Sequence, residues 1–174
     1  MNFAQRTIAT GTFVFLTCLS TYGQTPGNTP ESSLVLEEGV AAHKDLGEIY
    51  RRFSEGYKKL DAAAVANLYT ETAAYLAPGQ NLDIGRQKVL ETFTKFFDSV
   101  RQRNGRMEIS FRIAQRQAEQ SLGYDVGIYT LTSFNEKGEA RTSKGKFMVV
   151  AKPEKDGVWR FQVDGYNDLP KPPK

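Results

Sequence analysis

The spacing of apolar residues changes partway along the chain, and this change limits the possible folds. From Asp45 to Leu60 apolar side chains recur every three or four residues, as on one face of a helix. After Asn104-Gly105 they alternate instead, as in a strand with one buried face; the alternating residues are Met107, Ile109, Phe111 and Ile113. The chain is therefore predicted to place helices in its first half and a sheet in its second.

The same pattern predicts individual elements. Asp61 is placed to cap a second helix, after the one at 45–60, and a third helix follows Gly85. Gly127 indicates a bend or bulge. The second helix is predicted at 62–69, and strands at 74–76, 107–113, 124–134, 145–152 and 158–166. This order predicts an α+β domain whose three helices pack on a strongly curved, mainly antiparallel sheet, an arrangement that leaves a cavity.

The first 23 residues have the three-part order of a secretory signal peptide. Arg6 precedes an apolar run at 8–19, and small or polar residues follow it up to Gly23. The run is shorter than the roughly 20 residues that cross a bilayer as a helix. We expect cleavage before Gln24 and export to the periplasm or the medium. Lipid attachment at Cys18 is disfavoured because Thr17 is large for the position before the cysteine.

The rest of the chain is predicted to form one domain with two tails. Residues 24–40 are predicted to be a flexible linker, since 24–33 carry no apolar residue able to drive burial. Residues 170–174 are rich in proline and lysine and are predicted to be a disordered tail. Residues 41–169 have the usual length of one domain and can bury a core without metals or disulfides.

The composition disfavours several kinds of chemistry. Cys18 is the only cysteine and His43 the only histidine, so the mature chain is predicted to lack disulfides, cysteine nucleophiles and a zinc site. His43 is expected at the start of the first helix rather than in a catalytic triad. No glycine-rich phosphate loop follows a strand, so neither cofactor nor metal is expected. The net charge of +3 is dispersed, which gives nucleic-acid binding little support.

Several segments carry the motifs of a known family. Asp61–Glu71, Ala77–Gly79 and Gly85–Val89 lie in the helical half, and Gly123–Tyr129 and Gly157–Asn167 in the sheet half. Their order and spacing are similar to those of a SnoaL-like domain of the nuclear transport factor 2 superfamily. The resemblance implies a cone-shaped fold, often a homodimer through the outer sheet face. It leaves the activity open, because such domains include isomerases, cyclases, dehydratases, binding domains and association modules.

Ketosteroid isomerase chemistry needs a tyrosine and two acidic residues at set positions in this fold. The resemblance places these positions at Phe53, Ala77 and Val149, all of which are apolar. We therefore do not expect steroid isomerase chemistry.

Two other acidic residues are candidates for catalysis. Asp125 and Asp164 interrupt predicted strands, and an acid desolvated by a pocket would have a raised pKa suited to proton transfer. The alternative for each is a solvent-facing position or an ion pair with a nearby arginine. Asp83 and Asp168, in a turn and at the start of the tail, are secondary candidates.

Aromatic residues from different elements are predicted to line the cone. Packing in the core is the alternative, above all for Trp159, which alternates with Phe161 and Val163 as on a buried strand face. The predicted ligand-binding residues are Tyr57, Tyr75, Tyr129, Trp159, Tyr166 and Asn167.

Three functions follow from these residues. The first is an exported domain that binds a small apolar or aromatic molecule. The second is a cofactor-free acid-base enzyme of the isomerase, cyclase or dehydratase type that uses a pocket aspartate. The third is a dimerisation or association module, which predicts a filled cone and an apolar outer sheet face.

Overall fold

The computed structural model describes residues 33–170, in which three helices pack on a curved, mixed sheet of seven strands. The helices are α1 (Lys44–Lys59), α2 (Ala62–Ala66) and α3 (Arg86–Arg101). The strands are β1 (Leu34–Leu36), β2 (Tyr69–Leu76), β3 (Asp83–Ile84), β4 (Arg106–Ala118), β5 (Gly123–Phe134), β6 (Ala140–Pro153) and β7 (Trp159–Asp168). The prediction of an α+β domain with three helices packed on a curved sheet is confirmed; β1, β2 and β3 precede the last helix.

The sheet is built around an antiparallel meander. Strands β4 to β7 pair with their neighbours in chain order, while β2 joins β7 and β1 joins β4 in parallel. The full order is β1-β4-β5-β6-β7-β2-β3. Helix α1 lies against the inner face, where the ring of Tyr50 contacts Phe111 of β4 and Phe161 of β7. The apolar face predicted for α1 therefore forms the centre of the core.

The helix ends follow local capping chemistry. His43 Nδ1 accepts a hydrogen bond from the Leu46 backbone N–H at 3.3 Å, which places His43 at the start of α1 as predicted. Leu60 ends α1 in a left-handed conformation with φ of 54°. Asp61 then caps α2, because its Oδ1 accepts from the Ala64 N–H at 2.9 Å.

Two segments differ in type from the prediction, and β4 and β6 are longer than predicted. The second helix ends at Ala66, and Tyr69 begins β2 instead of ending a helix. Helix propensity is overridden here because Tyr69 pairs with Phe161 of β7 and is fully buried. Strand β1 lies within the segment 24–40 that was predicted to be a linker, where it pairs with residues 111–113. Strands as short as β1 and β3 give no readable periodicity.

Two register shifts change which residues face inward. In β4, Ile113 pairs with Gly127 but Gln115 pairs with Val126, so Ala114 is an extra residue. This bulge opposite Gly127 confirms the irregularity predicted there. In β7, Phe161 pairs with Ala151 and Val163 with Val150, so the extra residue is Gln162. Beyond each bulge, the alternation of inward and outward side chains is shifted by one residue.

Within residues 33–170, none of the helices is long and apolar enough to cross a membrane.

Candidate functional site

The helices and the inner face of the sheet enclose a cavity of about 1000 Å³. Aromatic rings of α1, α3 and β4 form much of its wall, among them Phe53, Phe93 and Phe111. Gln80, Asn81 and Ser143 line it as well and are exposed, so they mark its open side. The cavity is therefore an aromatic pocket with a polar mouth.

One row of inward-facing residues crosses the sheet beside this cavity. Residues that pair directly on neighbouring strands lie on the same face. Starting in β4 and ending in β3, the row is Arg116, Asp125, Val149, Asp164, Tyr75 and Asp83. The two predicted acids thus flank Val149, the position that carries an acid in ketosteroid isomerase. We call these six residues the acidic row.

Asp125 is held in a buried ion pair. Arg116 Nε lies 2.7 Å from Asp125 Oδ1, and Arg116 Nη2 lies 2.8 Å from Asp125 Oδ2. The two side chains are 2% and 1% exposed. Asp125 does not line the cavity. Of the alternatives for this residue, the ion pair with an arginine is therefore the one that the structure contains.

Sequence reasoning missed Arg116 because of the bulge in β4. In unbroken alternation with Met107 to Ile113, Arg116 would face outward. The extra residue Ala114 turns it inward opposite Asp125. The sequence signal for this bulge was Gly127. A Cβ added at Gly127 would lie 2.3 Å from the Arg112 carbonyl oxygen and 3.0 Å from the Phe147 ring.

Asp164 lines the cavity and has no counter-charge. Its side chain is placed inward by the bulge at Gln162, and the residue is 8% exposed. The Tyr69 hydroxyl donates a hydrogen bond to Asp164 Oδ2 at 2.6 Å. Among residues 33–170, no lysine or arginine forms an ion pair with it. Burial raises the pKa of Asp164 to about 6, an effect that the Tyr69 hydrogen bond opposes in part.

Four of the predicted tyrosines line the same cavity. The Tyr75 hydroxyl donates to the Tyr166 hydroxyl at 3.2 Å, and the Tyr129 hydroxyl donates to Asp168 Oδ1 at 3.0 Å. The Tyr57 hydroxyl has no hydrogen-bond partner in the described part of the chain. Burial, and then the nearby Tyr166 and Asp164, raise the pKa of Tyr57 well above its ordinary value. It is therefore a neutral hydroxyl, free to bond a ligand.

Two predicted ligand-binding residues lie outside the cavity. Trp159 lies beyond Phe161 on β7, where its ring meets the His43 ring edge-on at 5.1 Å between centroids. Asn167 lies between the inward-facing Tyr166 and Asp168, so its side chain points to the outer sheet face. Val163 was expected on the buried face of the sheet. It lines a second groove together with Asn167, because the bulge at Gln162 turns the Val163 side chain to the outer face.

The positions of the steroid isomerase set are apolar and buried in the structure. Phe53 and Val149 line the cavity, whereas Ala77 does not and instead lines the second groove together with Val163 and Asn167. Tyr50 and Tyr69 were not predicted as site residues. The Tyr50 hydroxyl is buried and has no hydrogen-bond partner among the described residues, although its ring lines the cavity.

Solved structures show the fold of this chain. A ketosteroid isomerase-like protein from Erwinia carotovora atroseptica has 14% identity and a TM-score of 0.59, covering 74% of this chain and 96% of its own. An NTF2-like protein from Novosphingobium aromaticivorans has 14% identity and a TM-score of 0.62, covering 72% and 80%. A candidate dehydratase of the NTF2-like family from Streptomyces avermitilis has 13% identity and a TM-score of 0.59, covering 74% and 97%.

No family model and no curated protein matches the sequence. At these identities the structural likeness establishes the architecture alone. The chain has the nuclear transport factor 2-like fold, as the motifs in its two halves predicted.

Proposed function

We propose that this protein binds a small, largely apolar molecule in its aromatic cavity. The observation that carries the proposal is the cavity itself, whose volume of about 1000 Å³ is open to solvent on one side. Pockets for small molecules are on the order of 300–1000 Å³ and combine apolar walls with a few polar groups. Here the polar groups away from the mouth include the Tyr57 hydroxyl and Asp164.

The cavity also separates this proposal from a role in assembly alone. An association module predicts a filled cone, whereas this cone is open and lined by hydroxyl and carboxyl groups. The outer sheet face does expose Leu76 and Met148, and we propose that a second copy of the chain covers them. The proposed export rests on the signal pattern in residues 1–23, which lie outside the described residues.

A bulky side chain in the cavity should block binding. Leu131 of β5 lines the cavity, and its neighbour Thr130 points to the opposite face of the same strand. We expect Leu131→Trp to weaken binding of tryptophol, a neutral two-ring alcohol, by at least about tenfold, because the larger ring occupies the site. Isothermal titration calorimetry measures this change. Thr130→Trp is the matched control and should bind as the wild type does; equal affinity in both variants would place the ligand elsewhere.

A second candidate function is acid-base catalysis by Asp164. The observation that favours it is a carboxyl group in an apolar cavity whose pKa of about 6 lies near neutral pH. Asp164 Oδ1, which receives no hydrogen bond from residues 33–170, would take a proton from carbon beside a ligand carbonyl and return it to a neighbouring carbon. The Tyr57 hydroxyl would donate to the carbonyl oxygen as negative charge develops there.

Proton exchange tests this candidate directly. We expect the protein to accelerate deuterium uptake at the carbons beside the carbonyl of 2-tetralone, as followed by NMR in D₂O. Asp164→Asn should lower that acceleration by roughly 100-fold or more, the usual contribution of a positioned base. Asp168→Asn, at the mouth, is the control and should retain it. Exchange no faster than in buffer, or unchanged in Asp164→Asn, would remove catalysis from consideration and leave binding.

A further inference from the structure

The charges that line the cavity are unbalanced. Asp83, Asp164 and Asp168 contribute three carboxylates, whereas Lys95 is the one cationic side chain of the lining. The protein as a whole has a net charge of +3. The cavity is therefore a negative site in a positive protein, and its potential favours a cationic ligand over an anionic one.

The deepest of these carboxylates, Asp164, accepts a hydrogen bond from Tyr69 but has no cationic partner among residues 33–170. Asp83 accepts a hydrogen bond from Thr92 Oγ1, and Asp168 is exposed at the mouth. Asp164 is 8% exposed, and its neighbours across the sheet are the neutral residues Val149 and Tyr75. The other buried carboxylate of the acidic row, Asp125, has its arginine. A buried carboxylate is costly without a positive partner, and no lysine or arginine among residues 33–170 supplies one, so a cationic ligand would be stabilised here.

The surroundings of Asp164 suit an ammonium group in particular. An ammonium ion has three N–H donors and needs acceptors, and Asp164 Oδ1 and the unpartnered Tyr57 hydroxyl both provide them. Asp164 and Tyr57 both line this cavity, so both face the space that a ligand would occupy. The ring of Phe53 stacks on that of Tyr57 at 5.1 Å between centroids. Aromatic faces of this kind attract organic cations.

We propose that the cavity binds a hydrophobic organic amine as its ammonium ion, with the nitrogen at Asp164 and Tyr57 and the apolar part among the aromatic rings. The inference rests on the proposed binding function and adds the charge of the ligand. A cationic ligand is favoured over a neutral one because a neutral molecule would leave the buried carboxylate without a counter-charge.

Three indole compounds of nearly equal size test the proposal. They are tryptamine, which is cationic at pH 7.5, tryptophol, which is neutral, and indole-3-acetate, which is anionic. By isothermal titration calorimetry we expect tryptamine to bind roughly 10 to 100 times more tightly than tryptophol, the range of a charge-assisted hydrogen bond in a desolvated site. Indole-3-acetate should bind at least about tenfold more weakly than tryptophol.

Two variants locate the preference. In Asp164→Asn the affinity ratio of tryptamine to tryptophol should fall to within about threefold, with tryptophol itself little changed. Asp168→Asn removes a carboxylate from the mouth and should keep most of the ratio, since exposed charges are screened by solvent. Loss of the ratio in Asp168→Asn but not in Asp164→Asn would overturn the site at Asp164.

The outcomes separate this inference from the proposed function. Tryptophol binding as tightly as tryptamine would overturn the amine and leave small-molecule binding in place. Saturable binding of none of the three compounds would overturn both.

Discussion

Replacing Arg116 by methionine is expected to lower the free energy of unfolding by about 3–5 kcal/mol, the cost of leaving one member of a buried ion pair alone. Arg116 makes two hydrogen bonds to Asp125, and both side chains are almost fully buried. Without the arginine, the carboxylate remains in the core with no cation among residues 33–170 to pair with it. Urea denaturation at pH 7.5 measures the loss.

Two further variants show whether the loss comes from the uncompensated charge. Arg116→Met combined with Asp125→Leu removes both charges and should recover most of the lost stability, because well-packed apolar pairs can replace buried ion pairs. Lys88→Met breaks the exposed pair with Glu91 and should leave the urea midpoint almost unchanged. A double variant as unstable as Arg116→Met would show that the arginine stabilises the fold through packing and not through its charge.

Replacing Asp164 by asparagine is expected to have the opposite effect and to stabilise the protein at neutral pH. The pKa of Asp164 is about 6 in the folded protein, against an ordinary value of 3.8. Between these two values the folded state binds more protons than the unfolded state, so the free energy of unfolding falls as the pH rises. Over two pH units at about 1.4 kcal/mol each, the wild type loses about 3 kcal/mol through this group.

The stabilisation should therefore depend on pH. Asparagine does not ionise and can still accept the hydrogen bond from Tyr69, so the variant avoids the loss. We expect the two proteins to differ little at pH 4 and by up to about 3 kcal/mol above pH 7, as measured by urea denaturation at a series of pH values. Asp168→Asn changes an exposed carboxyl and should track the wild type. A difference that stays constant from pH 4 to 8 would show that Asp164 is not desolvated.

A gain in stability on removing Asp164 would also bear on function. A residue that destabilises the fold at the working pH has to be explained by something it does for a ligand. The same variant is expected to lose either the preference for an amine or the exchange chemistry. The effect of Asp164→Asn on stability can therefore be compared with its effect on ligand preference or proton exchange.

The sequence predicted the framework well because its signals are local. The apolar face of α1, the cap at Asp61 and the strand alternation up to Ile113 depend on residues that are neighbours along the chain. The prediction failed for Tyr69, where pairing with Phe161 overrides the helix propensity of the alanines before it.

The site was harder to predict because its chemistry depends on distant residues. Asp125 and Asp164 look alike in sequence, since both interrupt strands and both face inward beside Val149. They differ through partners: Arg116 on β4 for Asp125 and Tyr69 on β2 for Asp164. Asn167 lies outside the cavity because it occupies the outer face of β7, which the sequence pattern alone did not establish.

Each of the two bulges allows its own strand to contribute side chains both to the aromatic core and to a charged or polar region. In β4, odd-numbered positions up to Ile113 contribute to the aromatic core, whereas the even-numbered Arg116 carries the buried charge. In β7, the odd-numbered Phe161 packs in that core, whereas Asp164 and Tyr166 present polar atoms to the cavity. Deleting Ala114 or Gln162 would therefore remove the bulge but leave Arg116 or Asp164 facing inward, because the pairings on both sides of the bulge would then follow unbroken alternation. Such a single-codon deletion would remove the local bend of the strand while keeping its functional side chains on the same face.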